Sequence, residues 1–314
     1  VIGGVPTVLS ATMSSIVRNV GYSKKAAFGL GLGGVLNVVL DPLFMFVLLP
    51  AGNEVLGAAL ATMLSNVCAM IYFLAVYKKL SRESFLELPR RIERIRKNSL
   101  RSLFSVGFPA AAGVLLFDVS NMVLNRLAAS HGDFALAAIG IVLKVERLPL
   151  NIGIGIALGM VPLVAYNYAS KNYERMRAFT RASMISGLCV AAVSVVLYRI
   201  GAEGIIHLFI EEPITVSYAI PFLEARCVAT PFMFASFHLS HFMQAIDRGV
   251  TSLWMAVIRQ LCLNIPFLFL LNFLFGMTGI VWTQFFSDIF NVLVSLIIYR
   301  AVTRPFYRNL SSEV

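Results

Sequence analysis

Nine mostly apolar stretches, each of about 17 residues or more, recur along this chain with short polar gaps between them. They fall near residues 2–18, 26–49, 55–77, 102–127, 134–167, 182–207, 217–245, 250–274 and 278–299. A helix of about 20 apolar residues crosses the hydrocarbon of a bilayer and satisfies its backbone polar groups internally. The pattern predicts an all-α polytopic membrane protein with about nine transmembrane helices. A membrane β-barrel needs short alternating segments, and "VAAVSVVL" and "FLFLLNFLF" do not alternate. Only 13% of the 314 residues are charged, against about 25% in a soluble domain. The fifth and seventh stretches are long, which predicts tilt, kinks or interfacial ends.

The gaps set an orientation. Lys and Arg crowd every second one: Arg18 to Lys25, Lys78 to Arg101, Lys171 to Arg181, Arg248, and Arg300 to Arg308. The gaps 50–54, 128–133 and 275–277 hold none, and 208–216 carries Glu211 and Glu212. The positive-inside rule places the basic gaps, and so the C-terminus, in the cytoplasm of a multi-pass cell-membrane protein. The net charge of +10 is then a topology signal and an attraction to anionic lipid rather than a nucleic-acid surface. In the longest gap, Leu88, Ile92, Ile95 and Leu100 recur at helical spacing among Arg and Lys. That spacing predicts an amphipathic surface helix over 78–101, linking two bundles.

Cys68, Cys189, Cys227 and Cys262 have no metal-type spacing and read as small core residues. No phosphate-binding loop, nucleophile elbow or HExxH motif is present, so neither an enzyme nor a cofactor or metal site is expected.

The first three stretches repeat in the last three. Pro6 and Pro42 stand 36 apart, Pro231 and Pro266 35 apart. "LFMF" follows one second proline and "FLFL" the other, and then "GAALATMLSN" (57–66) parallels "GIVWTQFFSD" (279–288). Both copies begin outside and end inside, a parallel repeat of the kind found in secondary transporters, whose sites lie between the repeats. Stretches four to six have no upstream partner and the chain opens at Val1 without Met. The expectation is a twelve-helix protein whose first three helices precede this sequence. Pro42 has its repeat counterpart in Pro266, whereas the counterpart of Asp41 is Ile265. The fold thus uses the proline in both copies and does not need the acid, which costs about 2.5–3.5 kcal/mol at the centre of a membrane helix. Asn37 lies four residues before Asp41, on the same helix face.

These residues resemble the multidrug and toxic compound extrusion (MATE) family. The matching pieces are "NVVLDPLFMF", "GAALAT", "GFPAAA", "GMVPLVAYNYASKNYERM", "FMQAIDRG", "IRQLCLNIP" and "GIVWTQFFSD", in family order over nearly the whole chain. The resemblance implies two six-helix lobes, of which this chain holds the fourth to twelfth helices. Residues 1–77 would be the second half of the N-terminal bundle, 102–300 the C-terminal bundle and 301–314 a cytoplasmic tail. It implies efflux of cationic amphipathic compounds by antiport with Na+ or H+, with no other cofactor. It also implies a coupling-ion site at Asn37, Asp41 and Thr62, and places Asp118 near the acid of a second site. The carboxylates that some members carry on the tenth helix have no match in "PFMFASFHLSHFMQ". The expected partners are the lipid bilayer and small organic cations, and the expected state is a monomer.

Further polar groups within the spans are cavity or gating candidates. Lys144 and Arg147 share a face from which Glu146 turns away, so pairing with Asp118 and lining of a central cavity both stay open. His238 and His241, three apart, read as cavity lining, with a proton relay or metal pair as the alternative. Gln244, Arg259, Gln260 and Asp288 fit a cytoplasmic closure network or fixed structure. A related flippase for lipid-linked or polysaccharide precursors is the alternative function, because Lys144, Arg147 and Arg259 would suit phosphates.

Overall fold

A computed structural model of the protein describes residues 3–50, 52–81 and 97–308. Among these, all regular structure is helical. Seven helices or helix pairs are long and apolar enough to cross a membrane. The chain divides into two compact units, residues 1–94 and 95–314.

The first unit holds three helices: α1 (Gly4–Asn19), α2 (Ser23–Pro42) and α3 (Glu54–Leu80). A π-helical segment, Leu43–Leu48, extends α2 past its proline. Pro42 lacks the N–H that would continue the α pattern, and a wider turn carries the chain on. The packed centre is small, Val17, Ala26, Phe73 and Leu80. Apolar residues such as Val55 and Val38 instead face outward, 86% and 72% exposed, as lipid-facing positions should.

The second unit comprises α4 (Lys97–Ala129), α5 (Asp133–Ala169), α6 (Tyr173–His207), α7 (Pro213–Cys227), α8 (Thr230–Ala245), α9 (Gly249–Val257), α10 (Ile265–Phe275) and α11 (Met277–Arg308). Another π-helical segment, Ile258–Asn264, joins α9 to α10. The fifth predicted stretch is one helix of 37 residues, α5, and it packs against α4, α6, α7 and α8. The seventh is not one helix. It divides at Val228 and Ala229 into α7 and α8, because Pro231 has no N–H to donate and takes the first turn of a new helix. Glu212 caps α7, its carboxylate accepting from the N–H groups of Ile214 and Thr215.

Two apolar clusters stack along this unit. One gathers Ile139, Val142, Phe222, Leu223, Leu268 and Ile280, the other Met160, Val164, Met176, Leu239, Phe242 and Met255. On α5, on the α9–α10 rod and on α11, polar residues lie in sequence between the two clusters, and several of them line a cavity of this unit.

Most of the surface linker predicted over 78–101 lies outside the described residues; Lys78 to Leu80 close α3 and residues 97–101 open α4. Part of the predicted tail, 301–308, continues α11. The cysteine reading holds for Cys227 alone: Cys68 is half-buried, and Cys189 and Cys262 are exposed. In a bilayer an outward apolar position needs no core, so a thiol's apolar character does not say which way it faces.

The repeat has a packing reason. A Cβ on Gly57 would lie 2.8 Å from the carbonyl oxygen of Phe44, and one on Gly279 would overlap the carbonyl of Leu271. Each glycine lets its helix lie against the backbone of the rod before it, as small residues do in membrane bundles. Gly279→Ala is therefore expected to cost about 1–3 kcal/mol, as overpacking does, and Gly57→Ala less. Thermal unfolding of both variants in lipid nanodiscs checks this; equal midpoints for Gly279→Ala and wild type would count against it.

Candidate functional site

In the first unit, α2 and α3 bring Asn37, Asp41 and Thr62 together. Asn37 Nδ2 donates to Asp41 Oδ1 at 3.2 Å and to Thr62 Oγ1 at 3.3 Å. The first bond follows from the one-turn spacing on α2, the second from the packing of α3 against it. Asp41 and Asn37 are half-buried and Thr62 is exposed. No Lys, Arg or His among the described residues pairs with Asp41. The cluster thus offers carboxylate, amide and hydroxyl oxygens from two helices around an uncompensated negative charge. Hard oxygens of this kind suit a small hard cation, and an isolated carboxylate equally takes a proton.

Asp118 does not join a comparable cluster. It is exposed on α4, makes no ion pair or hydrogen bond among the described residues and lines neither cavity of the second unit described below.

The second unit encloses a cavity of about 350 Å³ between α4, α5, α8, α11 and the α9–π rod. Five of the sequence candidates line it: Arg147, His241, Gln244, Arg259 and Gln260. Phe117 and Phe237 supply aromatic walls. Arg259 Nε donates to Asp288 Oδ1 at 2.6 Å and Nη2 to Oδ2 at 3.2 Å, and the guanidinium lies over the Phe237 ring, 4.5 Å from its centroid. Both partners are buried, Asp288 completely. Behind them Gln284 Nε2 also donates to Asp288 Oδ2, while Asn264 donates to Gln284 Oε1 at 3.3 Å and to Ser287 Oγ at 3.1 Å. Ser120 Oγ donates to Asn264 Oδ1 at 2.7 Å. Gln244 Nε2 donates to Ser252 Oγ at 3.0 Å, and the Nδ1–H of His241 donates to the Phe237 carbonyl at 2.7 Å.

The remaining candidates lie elsewhere. Neither Lys144 nor Arg147 pairs with Asp118 among the described residues; Glu146, buried on α5, accepts from Arg226 of α7, Nε and Nη2 both at 2.8 Å from Oε2. That pair borders a smaller cavity of about 100 Å³, which Arg147 also reaches. Lys144 is exposed and lines neither cavity. His238 is not cavity lining: it is fully buried behind the wall, 5.5 Å from the Phe234 ring. Among the described residues no group of three or more His, Cys, Asp or Glu is placed to hold a metal ion. Sequence reasoning missed Arg226 as the partner of Glu146, and Asn264, Gln284 and Ser120 as members of the Asp288 network. The only signal for Gln284 and Asn264 was their place in and beside the repeated motif.

A protein-family model described as MatE matches residues 109–270. The multidrug export protein MepA of Staphylococcus saprophyticus is 29% identical over 291 residues, covering 93% of this chain and 63% of the relative. MepA of Staphylococcus aureus is 28% identical over 292 residues, with the same coverages. A solved structure described as an outward-facing multidrug resistance MATE family transporter of the MOP superfamily superposes with a TM-score of 0.88 at 21% identity, over 95% of this chain and 66% of that one. The chain thus spans just under two thirds of the length of these relatives.

Proposed function

The chain belongs to the MatE family, and on that premise we propose that it acts within a secondary active multidrug efflux transporter, exporting cationic amphipathic compounds by antiport with Na+ or H+. Its similarity to multidrug export proteins over 93% of its length supports the reading. The observation that carries it is the Asn37–Asp41–Thr62 cluster, an uncompensated acid inside an apolar helix pair. Intramembrane acids of this kind are retained for ion or proton handling. In this proposal residues 1–77 belong to one helical bundle and 102–300 to the second, 78–101 link them on the cytoplasmic face, and the C-terminus is cytoplasmic. Coupling works because an ion that binds one access state more tightly shifts the population towards it.

The test is ethidium efflux from vesicles carrying the reconstituted protein, with Na+ and proton gradients imposed separately. Efflux should follow the inward gradient of one ion and vanish when that gradient is collapsed. Efflux indifferent to both gradients would remove antiport.

A second reading, flipping of lipid-linked or polysaccharide precursors, draws on the cavity of the second unit, where Arg147 and Arg259 are present and, among the described residues, no carboxylate lines the wall.

A further inference from the structure

At one end of the second unit, arginines from two spanning helices gather beside a pair of tyrosines. Arg177 and Arg181 follow each other one turn apart on α6. Arg300, Arg304 and Tyr307 recur at i, i+4 and i+7, and so share a face of α11. The two stripes meet where the Arg177 guanidinium lies over the Tyr307 ring, 5.4 Å from its centroid. Phe306 stacks on Tyr173 at 5.2 Å and meets Tyr168 edge-on at 5.5 Å, which holds the end of α11 against the α5–α6 turn. Arg177, Arg181, Arg300 and Arg304 are all exposed, and none pairs with an acid among the described residues. The hydroxyls of Tyr299 and Tyr307 share a hydrogen bond at 3.3 Å. Whichever donates, the O–H of the other remains for a further acceptor.

Basic loops alone suffice to orient a chain in a membrane; they do not require arginines inside the helices. Arg181 lies about two turns inside the start of α6, and Arg300 about two turns inside the end of α11. Beyond them the same stripes turn apolar. Ile185 and Leu188 follow Arg181 at i+4 and i+7, Leu293 and Ile297 precede Arg300 at i−7 and i−3, and all four are exposed. The seam between α6 and α11 is thus cationic at its polar end and apolar deeper in, which is the order of groups along a phospholipid. A soluble phosphate would use only the first half of it. Guanidinium groups take phosphate oxygens through paired hydrogen bonds, and basic pockets between spanning helices suit anionic headgroups.

We propose that the seam between α6 and α11 seats an anionic phospholipid, the four arginines holding its phosphate and the apolar continuation its acyl chains. The inference goes beyond efflux and rests on the membrane-spanning character of α6 and α11, not on antiport. Lipid retention is measured without transport or an ion gradient, so its outcome and that of coupled efflux are independent.

The test is competition between dioleoyl phosphatidylglycerol and dioleoyl phosphatidylcholine for the purified protein in detergent micelles, with bound lipid counted by native mass spectrometry. Both lipids carry a phosphate, but the choline cation is repelled by the same arginines. Wild type should retain the anionic lipid over the other by about tenfold or more. Arg300→Gln with Arg304→Gln should bring the ratio to within about twofold, at about fivefold per arginine. Arg300→Lys with Arg304→Lys should keep most of it, because the charges remain, and so verifies an intact seam. Lys78→Gln with Lys79→Gln removes the same charge from the exposed end of α3 and should leave the ratio unchanged. Glycerol phosphate in large excess should not displace the lipid. Equal retention of the two lipids by wild type, or an unchanged ratio in Arg300→Gln with Arg304→Gln, would overturn the assignment. So would an equal loss in the Lys78 and Lys79 variant, or displacement by glycerol phosphate.

Discussion

Arg259→Met is expected to destabilise the protein by about 3–5 kcal/mol, the cost of stripping one partner from a buried ion pair. Arg259 is 5% exposed and Asp288 is 0% exposed. Removing the guanidinium leaves a carboxylate with only the Gln284 amide to satisfy it, deep inside a helical bundle. The Asn264, Ser287 and Ser120 bonds behind it share that network, so the loss should not stay local. The compensating variant separates charge from packing. Arg259→Met combined with Asp288→Leu removes both charges, and replacing a whole buried pair by apolar side chains is often close to neutral. The double variant should recover most of the lost stability, a coupling that a double-mutant cycle of thermal unfolding in nanodiscs measures. If the double variant is as unstable as the single one, what Arg259 contributes is its stacking on Phe237 and not the neutralisation of Asp288.

The parts of this architecture that were legible in the sequence are those fixed by local spacing. Apolar run lengths located the helical rods, and the one-turn interval between Asn37 and Asp41 predicted their shared face. Lys144 and Glu146, two residues and so about 200° apart on a helix, were expected to diverge, and one is exposed while the other is buried. What spacing does not contain is the rotation of each helix about its own axis against its neighbours. The pairing of Glu146 with Arg226 spans 80 residues and depends on that rotation. So does the fate of the two histidines: His241 reaches the cavity and His238, one turn earlier, turns behind the wall. The division of the seventh stretch was hidden for a different reason. Cys227, Val228 and Ala229 at the break are themselves apolar, and Pro231 by itself marks a kink, a break or the first turn of a helix.

The two copies of the repeat use one polar plan in opposite ways. Aligning Gly57 with Gly279 places Thr62 opposite Gln284 and Asn66 opposite Asp288. In each copy an asparagine near the repeated proline, Asn37 or Asn264, donates its amide to that aligned position, Thr62 or Gln284. The acids differ. Asp288 has a cation built into the chain, Arg259, whereas Asp41 has none among the described residues. A permanently paired acid cannot exchange an ion as access changes; an unpaired one can. The second copy is therefore suited to fixed structure, and the first to a mobile charge.

On that basis Asp41→Asn is expected to abolish the ion dependence of efflux while leaving folding near normal. Asparagine keeps the size of the side chain and an oxygen that still accepts from Asn37 Nδ2, now 3.2 Å from Asp41 Oδ1. What it loses is the charge. An ion with equal affinity for two states shifts neither, however tightly it binds, and an uncharged amide removes the main source of differential affinity. Gradient-driven ethidium efflux should fall by about tenfold or more, equivalent to at least about 1.4 kcal/mol of lost coupling. Thr62→Val, which deletes a single neutral oxygen from the cluster, should weaken the dependence without eliminating it. Asp118→Asn should have the smallest effect of the three, because among the described residues Asp118 makes no ion pair or hydrogen bond. The checks are initial efflux rates with and without the driving gradient, set beside the thermal midpoint of each purified variant. Wild-type gradient dependence in Asp41→Asn would exclude the carboxylate from coupling, and a collapsed midpoint would make its role structural instead.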